Sequence, residues 1–168
     1  YIKKNDKNFS SRIVLAEDIF KSWYRHDNYK NLVALEQDIA EIVSSIVIFV
    51  ESAGSIAELG AFSKIKSIAK KTIVIVDSKY SNDESYIVLG PLNKLCSEYG
   101  DTRVLSYDFK NIAVMSNEIA NNVAKFCATF AETKFSSKEL SHIAVLVVEI
   151  INFFGLITYT ELSEIIRD

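Results

Sequence analysis

Cysteine is nearly absent from the 168 residues: Cys96 and Cys127 lie far apart, and neither has Cys or His neighbours at metal-ligand spacing. A disulfide framework and a zinc site are not indicated, no metal or other cofactor is expected, and a reducing cytoplasm is the default compartment. Charge of one sign is also lacking. The 19 Lys and Arg against 22 Asp and Glu leave a formal charge of -3 and an isoelectric point near 5.5, which is no electrostatic footprint for nucleic acid or an anionic membrane. Nor does any apolar run reach bilayer length. The most apolar stretch, Ile143 to Ile157, falls about a turn or more short of a span and contains Glu149 and Asn152, so it reads as a buried helix. No signal peptide is visible, and the opening Tyr1-Ile2-Lys3-Lys4 reads like the interior of a longer chain. Internal repeats and low-complexity tracts are missing as well.

What is present is material for one real core. An apolar fraction of 49% with 24% charged and 11% aromatic residues excludes disorder as the main state and leaves room for one domain plus a small appendage. Ile13-Val14-Leu15 is short enough to be a strand. From Asn31 to Val43, Leu32, Leu35, Ile39, Ile42 and Val43 recur at helical spacing, and Ile46 to Val50 follows as an apolar, β-branched run of the kind buried on both faces of a sheet. A small-residue turn, Glu51 to Ser55, leads into a helix expected over Ile56 to Lys71, and Thr72 to Asp77 forms a second buried strand. Strand, helix and strand within about thirty residues make a βαβ unit with parallel strands. The class is therefore α/β, a parallel sheet flanked by helices. Gly90-Pro91 marks a turn or helix start, Leu92 to Tyr99 a short helix, Val104 to Tyr107 a further strand, and Asn111 to Phe130 a long covering helix. Ser137 to Phe154 is a strongly apolar helix, interrupted at Gly155 before a last helix from Thr160. This pair suits either the start of a helix-turn-helix or winged-helix domain or a hairpin packed on the main domain. The boundary falls between 1–133 and 134–168.

The strongest chemical signal is Glu51-Ser52-Ala53-Gly54-Ser55-Ile56-Ala57-Glu58-Leu59-Gly60, between a buried strand and a helix. Ligands of open parallel sheets bind beyond the C-terminal strand ends, where helix-start amides face an anion. Gly54 would permit positive φ or close ligand approach, and Ser52 and Ser55 would donate to phosphate or ribose oxygens. Glu51 and Glu58 would share the crevice, and two nearby carboxylates suit glycosidic cleavage. The alternative is structural: Ser55-x-x-Glu58 is also the spacing of a capping box. A P-loop lysine and a GxGxxG pattern are both missing.

These residues also resemble a known family. Phe49 to Ser55 followed by Glu58-Leu59-Gly60-Ala61-Phe62-Ser63 is similar to the signature of the nucleoside deoxyribosyltransferase-like effectors of bacterial retron anti-phage systems. Ala16-Glu17-Asp18-Ile19-Phe20, the helix with Leu35-Glu36, and Gly90-Pro91-Leu92 extend the likeness from Val14 to Leu95, within a Rossmann-like fold whose apolar tail fits a winged-helix segment. The resemblance implies that Glu58 is the nucleophile, Glu51 an acidic partner near the sugar, and Glu36 a base- or sugar-contacting acid, with Glu17 and Asp18 lining the pocket. Ser45 stands where the family carries Asp, and the family's first strand and glycine-rich turn have no counterpart here. The implied activity is cleavage of the N-glycosidic bond of a nucleoside, nucleotide or NAD-like substrate, by a toxin that a reverse transcriptase and its RNA-linked DNA restrain. The rivals are a nucleotide sensor without chemistry and an assembly subunit, a homo-oligomer among them; no membrane partner is expected.

Weaker candidates have ordinary structural readings. An acidic Glu17-Asp18 pair complements a helix dipole. Trp23, Tyr24 and Tyr29 among Lys21, Arg25 and Lys30 suit base stacking or a packed aromatic edge. Lys64, Lys66, Lys70 and Lys71 suit a phosphate or a solvated helix face. His26 and His142 have no evident partners in sequence and read as structural or surface residues.

Overall fold

A computed structural model of the chain describes residues 13–23, 31–80, 84–129 and 135–167. Three parallel strands, β1 (Ile46–Val50), β2 (Thr72–Asp77) and β3 (Val104–Tyr107), lie side by side in chain order. Ile46 pairs with Thr72 and Val50 with Val76, while Val74 pairs with Val104 and Asp77 with Tyr107. The β-branched run of β2 is buried at all six positions because strands flank it and helices cover both its faces. In β1 only Ile48 is fully buried: among the described residues this strand is an edge, so the expected burial on both faces is partial.

Side chains alternate across the sheet with period two. Ile48, Val74 and Val76 point to one face and meet Leu59, Phe62, Ile68, Leu92 and Leu95. Ile75 points to the other and meets Tyr107, Ile119 and Val123, with Phe49 and Leu105 packed beside them. The first face is covered by α2 (Leu32–Ile42), α3 (Ala53–Phe62), the short α4 (Lys66–Ala69) and α5 (Asn93–Tyr99), and the second by α6 (Ser116–Ala128). α1 is Ala16–Trp23.

Several expected elements differ, each for a local reason. Ile13-Val14-Leu15 is not a strand: it has no ladder partner among the described residues, Val14 and Leu15 are exposed, and the Leu15 carbonyl accepts the Asp18 amide at 3.0 Å where α1 begins. The single helix expected over Ile56 to Lys71 starts earlier and breaks. Lys64 and Ile65 donate to Ala61 and Phe62, tightening the last turn of α3, and Ile65 then extends into the N-cap of α4. Pro91 lies inside a π-helical turn, Val88–Leu92, rather than opening a helix. The 3-10 turn Phe109–Asn111 uses up the start of the segment expected to be one long helix, so α6 begins only at Ser116.

The tail is α7 (Leu140–Phe154) and α8 (Tyr159–Arg167). No described side chain of α7 is buried, contrary to the expectation from its apolarity, because α2 is its main packing partner. Lys70 meets Glu139 at the start of α7 at 3.4 Å. Gly155 ends the helix at φ 72° and ψ -73°, with the Leu156 amide bonding back to the Phe154 carbonyl at 2.9 Å; this γ-turn strains any residue with a Cβ. Thr158 and Glu161 then form a reciprocal cap for α8. No described helix is long and apolar enough to cross a membrane.

Candidate functional site

Where α3 starts decides the site. Ser52 is its N-cap: the Ser52 hydroxyl accepts the Ser55 amide at 3.2 Å, and the Ser55 hydroxyl accepts the Ser52 amide at 3.1 Å. Ser55 Oγ also takes the Glu51 amide at 3.1 Å. The two hydroxyls expected to serve a ligand are thus engaged in capping. Gly54 sits inside the first turn without positive φ, correcting the turn expected there. Glu58 consequently lies in the second turn and takes no part in the cap, which removes the structural role that its spacing from Ser55 had suggested.

Two concavities flank α3, and they divide the candidate residues. A groove of about 220 Å³ between α2 and α3 is lined by Glu36 and Gln37 on one side and by Gly54, Ala57, Glu58 and Ala61 on the other. Gly54, Ala57 and Ala61 are small and fall along one flank of the helix, so they leave open the space that Glu58 borders. At about 30 Å³ per water this equals roughly seven water volumes, the scale of one sugar ring. Burial pushes the Glu58 carboxyl above the ordinary carboxylate range, and the charges of Glu36 and Glu17 push it further the same way. Burial also raises Glu36. The structure therefore brings Glu58, Glu36 and Glu17 into one electrostatic cluster.

The second concavity, about 1190 Å³, opens across the C-terminal strand ends between α3 and the Val88–Leu92 turn. Glu51, Ser52 and Ala53 line it, together with Ile56 of α3. Glu58 lies two residues, about 200°, further round that helix and faces the other way. Glu51 and Glu58 thus border different cavities instead of one shared crevice. Asp77 at the end of β2 accepts the Lys79 amide at 3.1 Å and the Lys79 ammonium at 2.9 Å; that partner holds its carboxyl below the usual range. Lys79 in turn lies 4.6 Å from the Tyr80 ring centre. Sequence reasoning missed Asp77, Lys79, Tyr80 and Lys110 as lining residues. The position of Asp77 at the C-terminal end of a fully buried strand was the available signal.

The remaining candidates fall elsewhere. Asp18 opens α1 beside Glu17 and lines neither cavity. Tyr24, Arg25, His26, Tyr29 and Lys30 lie outside the described residues, as do the side chains of Lys21 and Trp23. Lys71 is not on a solvated face: it is buried, its ammonium donates to the Glu41 carbonyl at 2.7 Å, and burial lowers its affinity for a proton. His142 accepts the Ser136 amide at 2.9 Å and stacks on Phe135, a local structural role. Among the described residues no group of three or more His, Cys, Asp or Glu is arranged to hold a metal ion.

A family model described as the STM3845 retron effector protein matches residues 1–168. The chain is 33% identical over 114 residues to an Escherichia coli protein named as the retron Ec86 ribosyltransferase/DNA-binding protein; the match covers 66% of this chain and 37% of that one. It is also 33% identical over 99 residues to the protein of Escherichia coli named in the same way for retron Ec73, covering 54% of this chain and 31% of the relative. The chain thus spans about a third of the length of these curated relatives.

Proposed function

The chain belongs to the STM3845 retron effector family, and from that premise we propose that it cleaves the N-glycosidic bond of a nucleoside, nucleotide or NAD-like substrate, with Glu58 at the reacting carbon. The observation that carries this reading is the placement of Glu58 off the helix cap and in a partly dehydrated groove with Glu36, within reach of the Glu17 charge. The word ribosyltransferase in the names of the two relatives supports glycosyl chemistry.

Cleavage of an N-glycosidic bond passes through an oxocarbenium-like state that carries positive charge at the anomeric carbon. Carboxylates that repel one another in the free protein gain attraction as that charge develops, so the cluster is complementary to the transition state more than to the substrate. Glu58 attacks the anomeric carbon or stabilises its charge; the carbon–nitrogen bond breaks, and its electron pair leaves with the base, which takes up a proton. Glu36, which lines the same groove, is the acid that gives up that proton in this reading. Water then attacks the anomeric carbon, its proton passes to Glu36, and Glu58 is freed. Glu51, on the other flank of α3, serves ligand recognition.

Residues 1–133 form the nucleoside deoxyribosyltransferase-like unit in this reading, and 134–168 begin a winged-helix domain. The reverse transcriptase and its RNA-linked DNA are the partners that restrain the toxin. The test is to incubate the complete protein and a Glu58→Gln variant with nucleosides, nucleotides and NAD, and to resolve free bases by chromatography. Base release by the parent alone is the expected result. Tight nucleotide binding by both proteins with release by neither, even with the reverse transcriptase and its nucleic acid present, would replace this reading with a sensor.

A further inference from the structure

We infer that Lys71 and Ser67 are positioning residues for the acidic groove: together they hold the last turn of α2 and thereby set where Glu36 stands relative to Glu58. The inference rests on the proposed cleavage, in which those two carboxyl groups act as a pair. Neither Lys71 nor Ser67 lines the groove. The Lys71 ammonium donates to the Glu41 carbonyl at 2.7 Å, and the Ser67 hydroxyl donates to the Glu41 carboxylate, so one residue of α2 is held through both its main chain and its side chain. That carbonyl is among the last four of its helix and has no donor within it, so the ammonium fills a vacant partner's place. Among the described residues, these two hydrogen bonds are the ones that tie α2 to another element.

The anchor is firmly seated, and the helix it holds is not. Lys71 is buried, its own carbonyl accepts the Ile46 amide at 2.8 Å, and it directly precedes β2, so it is fixed to the rim of the sheet. Ile68 and Ala69, which follow Ser67, belong to the core. α2 fully buries only Leu35 and Ala40, while Leu32, Val33 and Ile42 are exposed, so apolar packing specifies its seat weakly. α3 is set separately, by Leu59 and Phe62 in the core. Glu36 and Glu41 are five residues apart, about 7.5 Å along one helix, so a shift of the last turn is carried to Glu36. A buried ammonium is a poor source of stability, because an apolar side chain of similar length fills the site without desolvating a charge. Its effect is on geometry, where a misplacement on the order of 1 Å costs up to about a hundredfold in rate.

The test is a double-variant cycle in the complete protein, read by base release and by carbon NMR titration of the Glu58 carboxyl group. Lys71→Met should lower kcat about tenfold and leave KM within about twofold, the split expected when an acid needed in the transition state is misplaced. Glu36→Gln should lower kcat about a hundredfold, and adding Lys71→Met to it should cost less than about twofold more, because the group being positioned is already gone. Lys71 is not among the charges that act on Glu58, whereas Glu36 is. The Glu58 midpoint should therefore move down in Glu36→Gln and in Lys71→Met, where the two carboxyl groups drift apart, and no further in the double variant. A lysine that only supports the fold would lower kcat by the same factor whether or not Glu36 is present and leave the Glu58 midpoint in place; either result overturns the inference, as does a rise in KM with kcat unchanged. Should Lys71→Met fail to fold, Ser67→Ala decides alone: about threefold lower kcat only where Glu36 is present, with a downward Glu58 shift, is expected, and no change in either overturns the inference. A parent protein that releases no base refutes the proposed cleavage, and the Glu58 titration then still decides whether Lys71 sets the spacing of the two carboxyl groups.

Discussion

Replacing Glu58 by glutamine has opposite consequences for chemistry and for stability, and the two signs together test the placement of this residue. Glutamine keeps the shape and removes the charge. Loss of a nucleophile should lower base release by at least about a thousandfold, a barrier increase of roughly 4 kcal/mol. In the folded protein the Glu58 charge is opposed first by burial and then by Glu36 and Glu17. Because Glu58 is only partly buried, each like-charged neighbour counts at the screened value of a surface pair, about 0.3–0.5 kcal/mol, so the variant should gain about 0.5–1 kcal/mol. For a domain of this size that raises Tm by about 1–4 °C. The proton linkage gives the window. Folding raises the Glu58 pKa, so the penalty is full above the folded value, shrinks as pH falls through it, and is gone below the ordinary 4.5; the advantage of the variant should follow the same course. Thermal unfolding across that range, run beside base-release assays, reads both signs. A variant that melts lower at neutral pH and keeps its activity would mean that Glu58 is a structural residue, and the reasoning would be wrong.

Other expectations follow from the same geometry. Glu51→Gln should leave Glu58-dependent base release within a fewfold of the parent; a loss of about a hundredfold in kcat, roughly 2.7 kcal/mol, would show that the two cavities act as one site. Ser52→Ala and Ser55→Ala each remove half of the reciprocal cap and should cost about 1 kcal/mol in denaturant titrations, with the double variant costing less than the sum because the two hydroxyls serve one another. Lys71 has a pKa lowered by burial, so folding weakens its hold on the proton. Wild-type stability should therefore rise as pH climbs from the folded value toward 10.5, and Lys71→Met should lack that rise in thermal melts. Gly155→Ala places a Cβ at φ 72° and should cost about 1–3 kcal/mol, seen as faster amide exchange at the α7–α8 junction and not in the sheet.

The α/β class was legible because continuous β-branched runs such as Thr72 to Asp77 are tolerated only where helices cover both faces, and the amphipathic segments between them supply those helices. The order strand, helix, strand dictates parallel pairing, so β1, β2 and β3 could be named before any coordinate. Membership of a retron effector family was legible in the stretch from Phe49 to Ser63, because a signature is a property of residue order. Other features were not legible, since they depend on phase and on partners distant in sequence. Ser52 and Ser55 are both chemically competent caps, and local propensity does not choose between them. The choice turns Glu58 toward Glu36, which is 22 residues away in the chain, and leaves Glu51 facing the other cavity. Likewise, among the described residues, Ile13-Val14-Leu15 has the composition of a strand but no ladder to join, Lys71 reads as a surface lysine until the Glu41 carbonyl captures it, and α7 has the apolarity of a core helix without enough described neighbours to bury it. Residue order by itself determined the class, the three strands and which chemical groups they carry; tertiary packing decided where helices break and which of those groups meet, because both depend on helix phase and on distant partners that periodicity does not encode.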